Sequence, residues 1–319
     1  MANVKYLRER AELLRETRLF FDQRGFIEVQ PPCLSRDCVV DAYLDPVTVD
    51  ARDMMISDPR MPERFYLQTS PESAMKRLLV DGAPSIYSVG PVFRGGESGR
   101  LHNVEFTMLE WYELGGDVES AMSLTGDFVS QVLGADGCDR VTYRRAFRDH
   151  IGVDPIDAPT EQLRRLVESE DRSLADSIGD DRDELLDVLL STRITSQLGM
   201  DRPLLLTEYP LDQAALAKPS ETDPSCAARF ELYVRGVEVA NGYDELLDAE
   251  VMRARFDKNN CIREQTGRDP LVAETTLVKA MRRGLPACSG VALGIDRLLM
   301  LRVGAETIDD VLPFMIWNA

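Results

Sequence analysis

No apolar run in the 319-residue chain approaches the roughly 20 residues that a bilayer-crossing helix needs, so no membrane-spanning helix is expected. The opening stretch, MANVKYLRERAELLRETRLFF, is charged throughout and lacks the apolar core of a secretory signal, so a cytoplasmic protein is expected. Histidine is scarce, with only His102 and His150, and none of the six cysteines (33, 38, 138, 226, 261 and 288) falls in a Cys-x-x-Cys pair. A zinc site is therefore not expected, and the thiols read as reduced residues buried like small apolar ones. Tandem repeats and low-complexity tracts are absent. Positive charge is also in deficit: 37 Lys and Arg against 55 Asp and Glu leave a net charge of −18. Bulk repulsion then argues against a protein built to hold long stretches of nucleic acid, and the acidic surface reads as solubilising.

What is present is globular. Apolar residues make up 44% and charged residues 29% of a chain long enough for a large core, as one domain or one domain with an insertion. The spacing predicts a helix over 4–23, with Leu7, Leu14 and Phe21 as an apolar stripe and Gly25 closing it. FIEVQPP reads as a short strand closed by Pro31 and Pro32, ERFYLQTS as a strand reaching Ser70, and Pro71 as the opening of a helix. SIYSVGPVFR and VEFTMLEWYEL form a hairpin with a long glycine-bearing connection. Helices are expected over 117–133 and through most of 159–199, and PLLLTEYP as a strand. RFELYVRG and VEVANGY make a second hairpin with turn signals at Arg235-Gly236 and Asn241-Gly242. Two helices near 248–266 and 271–283, a short strand and a final helix complete the chain. Hairpins without a regular strand-helix-strand alternation predict an α+β protein, an antiparallel sheet flanked by helices. No linker is visible, so we expect one catalytic domain over 1–319 with a helical insertion near 145–200.

The hairpin loop RGGESGRLHN carries the first chemical signal. Arg94 ends a strand, so rigid backbone holds its planar fork, which suits a surface ion pair or a bidentate grip on phosphate or carboxylate. Taken alone such an arginine is more often a surface ion pair, and the combination with His102, Asn103 and a following aromatic weakens that reading. In the next strand, alternation places Phe106, Glu110 and Tyr112 on one face. An acid among apolar groups needs a partner, and the spacing leaves open whether Glu110 has a structural Arg or Lys or awaits a cationic ligand. Glu238 and Glu245, either side of Asn241-Gly242, read as two solvated acids or as a converging pair for magnesium. Arg297 begins a helix just after Gly294, where a ligand can approach closely and anions are favoured.

Together these segments resemble the catalytic domain of class II aminoacyl-tRNA synthetases, of the lysyl type, from Leu7 to about Val311. Leu7–Pro32 resembles the family's first motif, FRGGESGRLHNVEFTMLEWY its second and GVALGIDRLLML its third; TSPESAMKRLL and GVEVANGYDEL look like the amino-acid and metal segments. The first motif starts close to Met1, so no N-terminal anticodon-binding barrel is expected. In this the chain is most similar to the elongation factor P (R)-beta-lysyltransferases, as it is in HNVEFTMLEWY and SGVALGIDRL. Leu101 stands where synthetases commonly have arginine before His-Asn, with Arg100 one place earlier, and Ala292 where they usually have glycine.

The resemblance implies activation of lysine or (R)-beta-lysine with ATP and Mg2+ and transfer to a lysine of elongation factor P by a homodimer, with tRNA not expected as a partner. It implies that Arg94 grips the α-phosphate, that Phe106 and Arg297 sandwich the adenine, and that Glu97, His102, Asn103, Val239 and Gly294 also line the ATP site. Arg94 and Arg297 are the catalytic pair, and Glu238 and Glu245 carry the metal. Ser70, Glu72, Glu110, Tyr112, Asn241 and Glu245 are implied for the amino acid. Two departures stand out. Gly96 replaces a usual glutamate, with Glu97 one residue later, and Val104 replaces a usual proline. The alternatives are a stand-alone synthetase charging tRNA or another carrier, and an inactive regulatory paralogue, to which Gly96 lends support.

Overall fold

The computed structural model describes residues 3–55 and 58–319. The first elements are α1 (Leu7–Asp22), β1 (Ile27–Glu28), β2 (Leu34–Ser35), β3 (Thr48–Asp50), β4 (Arg64–Leu67), α2 (Glu72–Val80), β5 (Ile86–Phe93) and β6 (Glu105–Leu114). Then come α3 (Val118–Leu133), β7 (Asp139–Thr142), α4 (Tyr143–Ile151), α5 (Thr160–Glu168), α6 (Arg172–Ile178), α7 (Arg182–Leu189), β8 (Leu204–Thr207), β9 (Arg229–Val234) and β10 (Val237–Asp244). The last are α8 (Ala249–Gln265), α9 (Thr276–Met281), β11 (Cys288–Gly294) and α10 (Ile295–Val303). They gather into two compact units, residues 1–116 with 246–319, and residues 117–245.

In the first unit β5 and β6 form the expected antiparallel hairpin, with Phe93 opposite Glu105. β11 pairs antiparallel with β6 and β1 lies parallel to β5, while β2, β4 and β3 make a small antiparallel sheet. The fold is thus the expected α+β type, with antiparallel strands and flanking helices. Alternation gives β6 two different faces. Trp111 and Leu109 are fully buried, and Phe21 packs on Trp111 at 5.1 Å and stacks on Tyr87 at 4.9 Å. The α1 helix buries Leu13, Thr17, Phe20 and Phe21, at the i, i+4, i+7 and i+8 spacing of one helix face. That face corrects the Leu7-Leu14-Phe21 stripe: Phe21 is core, but Leu7 is 44% exposed. A spacing of seven residues drifts around a straight helix, so its ends diverge.

Two buried polar nodes lock this unit. Asp296, 1% exposed at the start of α10, accepts the backbone N–H of Thr107 at 2.7 Å and pairs with Arg10 of α1, which also donates to the Thr107 hydroxyl at 2.6 Å. Arg263 of α8, 2% exposed, spends its fork on the carbonyls of Asp269 (2.8 Å), Asp41 (3.1 Å) and Leu44 (2.9 Å) and on the Asp45 carboxylate (2.8 Å). The loop held in this way offers the Asp45 carbonyl to the N–H of Gly95 at 2.7 Å. A Cβ at Gly95 would sit 3.0 Å from that oxygen, so the close approach needs glycine.

In the second unit β9 and β10 are antiparallel, β8 pairs antiparallel with β9, and β7 runs parallel to β8. Asp181 and Asp171 cap α7 and α6 through side-chain acceptance of Glu184 and Leu174 N–H groups, so the helical stretch is broken into short pieces rather than continuous. These helices share a core of Tyr143, Phe147, Leu163, Leu185, Leu189 and Ile194 with Leu206 and Tyr233 of the strands. The second hairpin turns at Arg235 and Gly236, both with positive φ (50° and 73°). The expected turn at Asn241-Gly242 does not exist. Both residues lie inside β10, opposite Glu231 and Phe230, because strand pairing overrides a local turn preference.

The six cysteines are all free, and burial pushes the Cys38 thiol up to about 12 and the Cys138 thiol up to about 11. Among the described residues no helix is long and apolar enough to cross a membrane.

Replacing Arg263 with Met takes the donor from three carbonyls, each costing of order 1–3 kcal/mol if buried, while the Asp45 carboxylate keeps Arg268, so stability should fall by about 3 kcal/mol. Lys at this position lacks the planar fork and should recover only part of the loss, read as the denaturation midpoints of the three proteins in urea.

Candidate active site

Arg94 follows β5 directly, and its N–H donates to the Val104 carbonyl at 2.9 Å, closing the hairpin across the loop. Its guanidinium carbon lies 5.1 Å from the centre of the Phe106 ring, its Nε donates to the Thr69 carbonyl at 3.3 Å, and Glu97 stands 3.7 Å from Nη1. The arginine is thus aimed by three contacts while a quarter of its side chain stays exposed to a ligand. Gly96 takes φ +77°, which turns the chain so that Glu97 reaches back toward Arg94. Paired backbone bonds between Gly99 and His102 (3.1 and 3.2 Å) tighten the loop tip.

The far side of the loop is tied to the end of the chain. Asn103, 3% exposed, donates to the Glu105 carbonyl at 2.7 Å and accepts the Ile316 N–H at 3.1 Å. Its amide is therefore committed at both ends to the chain itself, with one hydrogen and one lone pair left over. Arg297, in the first turn of α10 beyond Gly294, places Nη2 2.7 Å from His102 Nε2 and donates Nε to the Leu101 carbonyl at 3.2 Å. Because guanidinium only donates, Nε2 accepts and the ring proton sits on Nδ1. Burial first and the Arg297 charge second hold the His102 pKa below its ordinary 6.5, which favours a neutral imidazole.

Phe106, Glu110 and Tyr112 share a face of β6, as alternation predicts. Glu110 is 2% and Tyr112 3% exposed, and the phenol donates to Glu110 Oε1 at 2.8 Å. Ala292 of β11 sits opposite Glu110. Pro71 caps α2 one residue earlier than its expected place inside the helix, and the Ser70 hydroxyl accepts the N–H of Glu72 at 3.1 Å. Glu72 forms an ion pair with Lys76, one turn further along α2. Lys76 is completely buried, its ammonium 5.7 Å from the centre of the Tyr112 ring. Sequence reading passed over Lys76, although the i, i+4 Glu-Lys spacing was its signal. It passed over Arg263 as well, whose contacts lie in sequence-distant loops and have no local signature.

In the second unit a bulge between Glu238 and Ala240 makes Val239 an extra residue of β10. Asn241 follows Glu238 by three residues, an odd number that would set them on opposite faces of a regular strand. The bulge changes the parity, so Glu238 and Asn241 share one face of β10, with Glu245 just beyond the strand's last residue, and Val239 is left 3% exposed with only backbone to offer. Glu245 is 1% exposed, and the Asn241 side-chain oxygen is buried without a hydrogen-bond partner among the described residues. Two carboxylates and an amide oxygen form an all-oxygen donor set, which fits a hard cation such as magnesium. Among the described residues no group of three or more His, Cys, Asp or Glu could hold a metal, so phosphate oxygens would have to complete the coordination.

A protein with Arg297→Gln should show the His102 pKa moving up toward 6.5, since one of the three causes of its depression, burial and the charges of Arg297 and Arg94, is gone. With only two histidines in the chain, an NMR titration of the imidazole Cε1–H signals reads this directly, and an unmoved His102 signal would contradict the contact.

The family described as tRNA synthetases class II (D, K and N) matches residues 2–318. The elongation factor P--(R)-beta-lysine ligase of Yersinia enterocolitica serotype O:8 / biotype 1B is 40% identical over 318 residues, which cover 100% of this chain and 97% of that protein. The ligases of the same name from Enterobacter sp. (strain 638) and Salmonella gallinarum are each 39% identical over 320 residues, covering 100% of this chain and 97% of theirs. The chain belongs to the class II tRNA synthetase family.

Proposed function

We propose that this member of the class II synthetase family is an AMP-forming ligase that activates lysine or (R)-beta-lysine with ATP and transfers it to a lysine of elongation factor P. The observation that carries the reading is the single face of β6, where Phe106 beside Arg94 is followed by the buried Glu110-Tyr112 pair. Four strand residues span roughly 13 Å, a distance suited to a nucleotide at one end and a cationic side chain at the other. The names of the relatives supply the acceptor and the isomer.

In this reading an amino-acid carboxylate oxygen attacks the α-phosphorus of ATP, and the bond to the β-phosphate breaks to release pyrophosphate. The acceptor amine then attacks the carbonyl carbon of the adenylate, and AMP leaves. No protein nucleophile is needed; positioning and charge neutralisation supply the rate. Arg94 holds the α-phosphate, Phe106 and Arg297 hold the adenine, and Glu97, His102, Asn103, Val239 and Gly294 complete the nucleotide site. Ser70, Glu72, Glu110, Tyr112, Asn241 and Glu245 hold the amino acid, Glu110 and Tyr112 toward its side-chain amine. Magnesium on Glu238 and Glu245 would screen the outer phosphates. Glu97, at 3.7 Å from Arg94, compensates for Gly96 and favours an active enzyme over an inactive paralogue.

None of these residues lies among the helices of about 145–200, which we read as an insertion in a single catalytic domain. With a net charge of −18 the chain is poorly suited to tRNA, and we place it in the cytoplasm. We propose a homodimer as well, since Leu7 and Leu19 of α1 leave apolar surface 44% and 58% exposed and two-fold assemblies are the commonest kind.

ATP-pyrophosphate exchange with L-lysine and (R)-beta-lysine tests activation. Arg94→Ala should cut exchange by about 10²–10³-fold with the fold intact, and near-normal exchange would sink its role. With ATP, magnesium and (R)-beta-lysine, label should pass to elongation factor P and not to tRNA. Charging of tRNA without labelling of the factor would favour a synthetase. Light scattering at micromolar concentration should return the mass of a dimer, and a monomer mass would count against the α1 interface.

A further inference from the structure

Three ionisable groups are linked beside the amino-acid face of β6: Glu72 pairs with Lys76, and Lys76 lies 5.7 Å from the ring of Tyr112, whose hydroxyl donates to Glu110. Their fractional exposures are 9%, 0% and 2%. Buried charge at this density is costly unless it is balanced, so the sum of charges is itself a property of the pocket. A lysine in an i, i+4 pair on a helix surface contributes a few tenths of a kcal/mol and usually snorkels to water. Lys76 does neither. Its ammonium is held inside, against the Glu72 carboxylate and 5.7 Å from the Tyr112 ring whose hydroxyl donates to Glu110.

We infer that Lys76 is a specificity-determining residue of the amino-acid pocket, an internal ammonium that sets its net charge and so selects ligands carrying one net positive charge. The inference rests on the reading of this face as the site of a lysine-type amino acid. With Glu245 left to the magnesium that it is read to hold with Glu238, the two carboxylates Glu72 and Glu110 and the ammonium of Lys76 sum to −1. A diamino monocarboxylate, with two ammonium groups and one carboxylate, carries +1 and completes the balance. A diamine without the carboxylate carries +2 and a monoamino acid carries 0, and each leaves a buried residual charge. Lys76 also fixes the direction of Glu72, which the Ser70 hydroxyl holds from the other side through the Glu72 N–H. The selection therefore combines geometry with charge, and the charge part can be tested separately.

Titration calorimetry with lysine and with cadaverine, the diamine of the same length, gives the ratio of the two affinities for each variant. Lys76→Met keeps the volume and takes the pocket to −2, so the ratio should move by about tenfold toward cadaverine. Glu72→Gln takes it to 0 and should move the ratio by about tenfold the other way. The double variant Glu72→Gln/Lys76→Met returns the sum to −1 and should restore the wild-type ratio, although both affinities fall. A merely structural lysine would weaken both ligands together and leave the ratio unmoved. An unmoved ratio in a folded Lys76→Met protein overturns the inference; if that variant does not fold, an unmoved ratio in Glu72→Gln, or a displaced one in the double variant, does the same. A wild-type protein that neither binds a lysine isomer nor supports exchange with it refutes instead the activation of lysine.

Discussion

The carboxylate of Asp296 is the constraint on which the site depends. A buried acid must have both oxygens satisfied, and here one takes the backbone of β6 through Thr107 while the other takes Arg10 of α1. Three elements far apart in sequence are fixed by one side chain. The consequence lies one residue further along each: Phe106 precedes Thr107 on β6, and Arg297 follows Asp296 on α10. Since alternate strand residues face opposite ways, anchoring Thr107 on the core side presents Phe106 on the other.

The same division runs along the whole of β6. One face, with Thr107, Leu109 and Trp111, is welded to α1 through Phe21 and Arg10. The other carries Phe106, Glu110 and Tyr112. A strand so firmly held can tolerate charged groups within its second face, because the apolar burial of the first offsets their desolvation. Arg94 is held with comparable rigidity. Arg263 freezes the 41–45 loop, Asp45 receives Gly95, and Arg94 is left little freedom beyond its own rotamer. Such a site needs little reorganisation when charge develops, which is the physical basis of rate enhancement by fixed dipoles and charges.

In the second unit a comparable result comes from an irregularity rather than from an anchor. The β10 bulge at Val239 is what sets Glu238 and Asn241 on one face, and it acts through parity alone. Without the extra residue Glu238 and Asn241 would stand on opposite sides of the strand, and no side-chain change elsewhere would bring them back.

Local signals were enough to mark the β5-β6 hairpin, Arg94 at its strand end, the shared face of Phe106, Glu110 and Tyr112, and the start of α2 near Pro71, because alternation, glycine and proline act within a few residues. They were not enough for the turn at Asn241-Gly242, which pairing with β9 turned into strand, or for Leu7, whose heptad spacing drifts off the buried face of α1. They gave no account of Lys76 or Arg263, since burial of a charge is decided by what packs around it. By itself the sequence determined which segments become strands and helices and which residue types are offered for chemistry. Only the tertiary structure decided which of those charges are buried together, since their partners lie in distant segments and the cost of burying them is met only when the elements have packed.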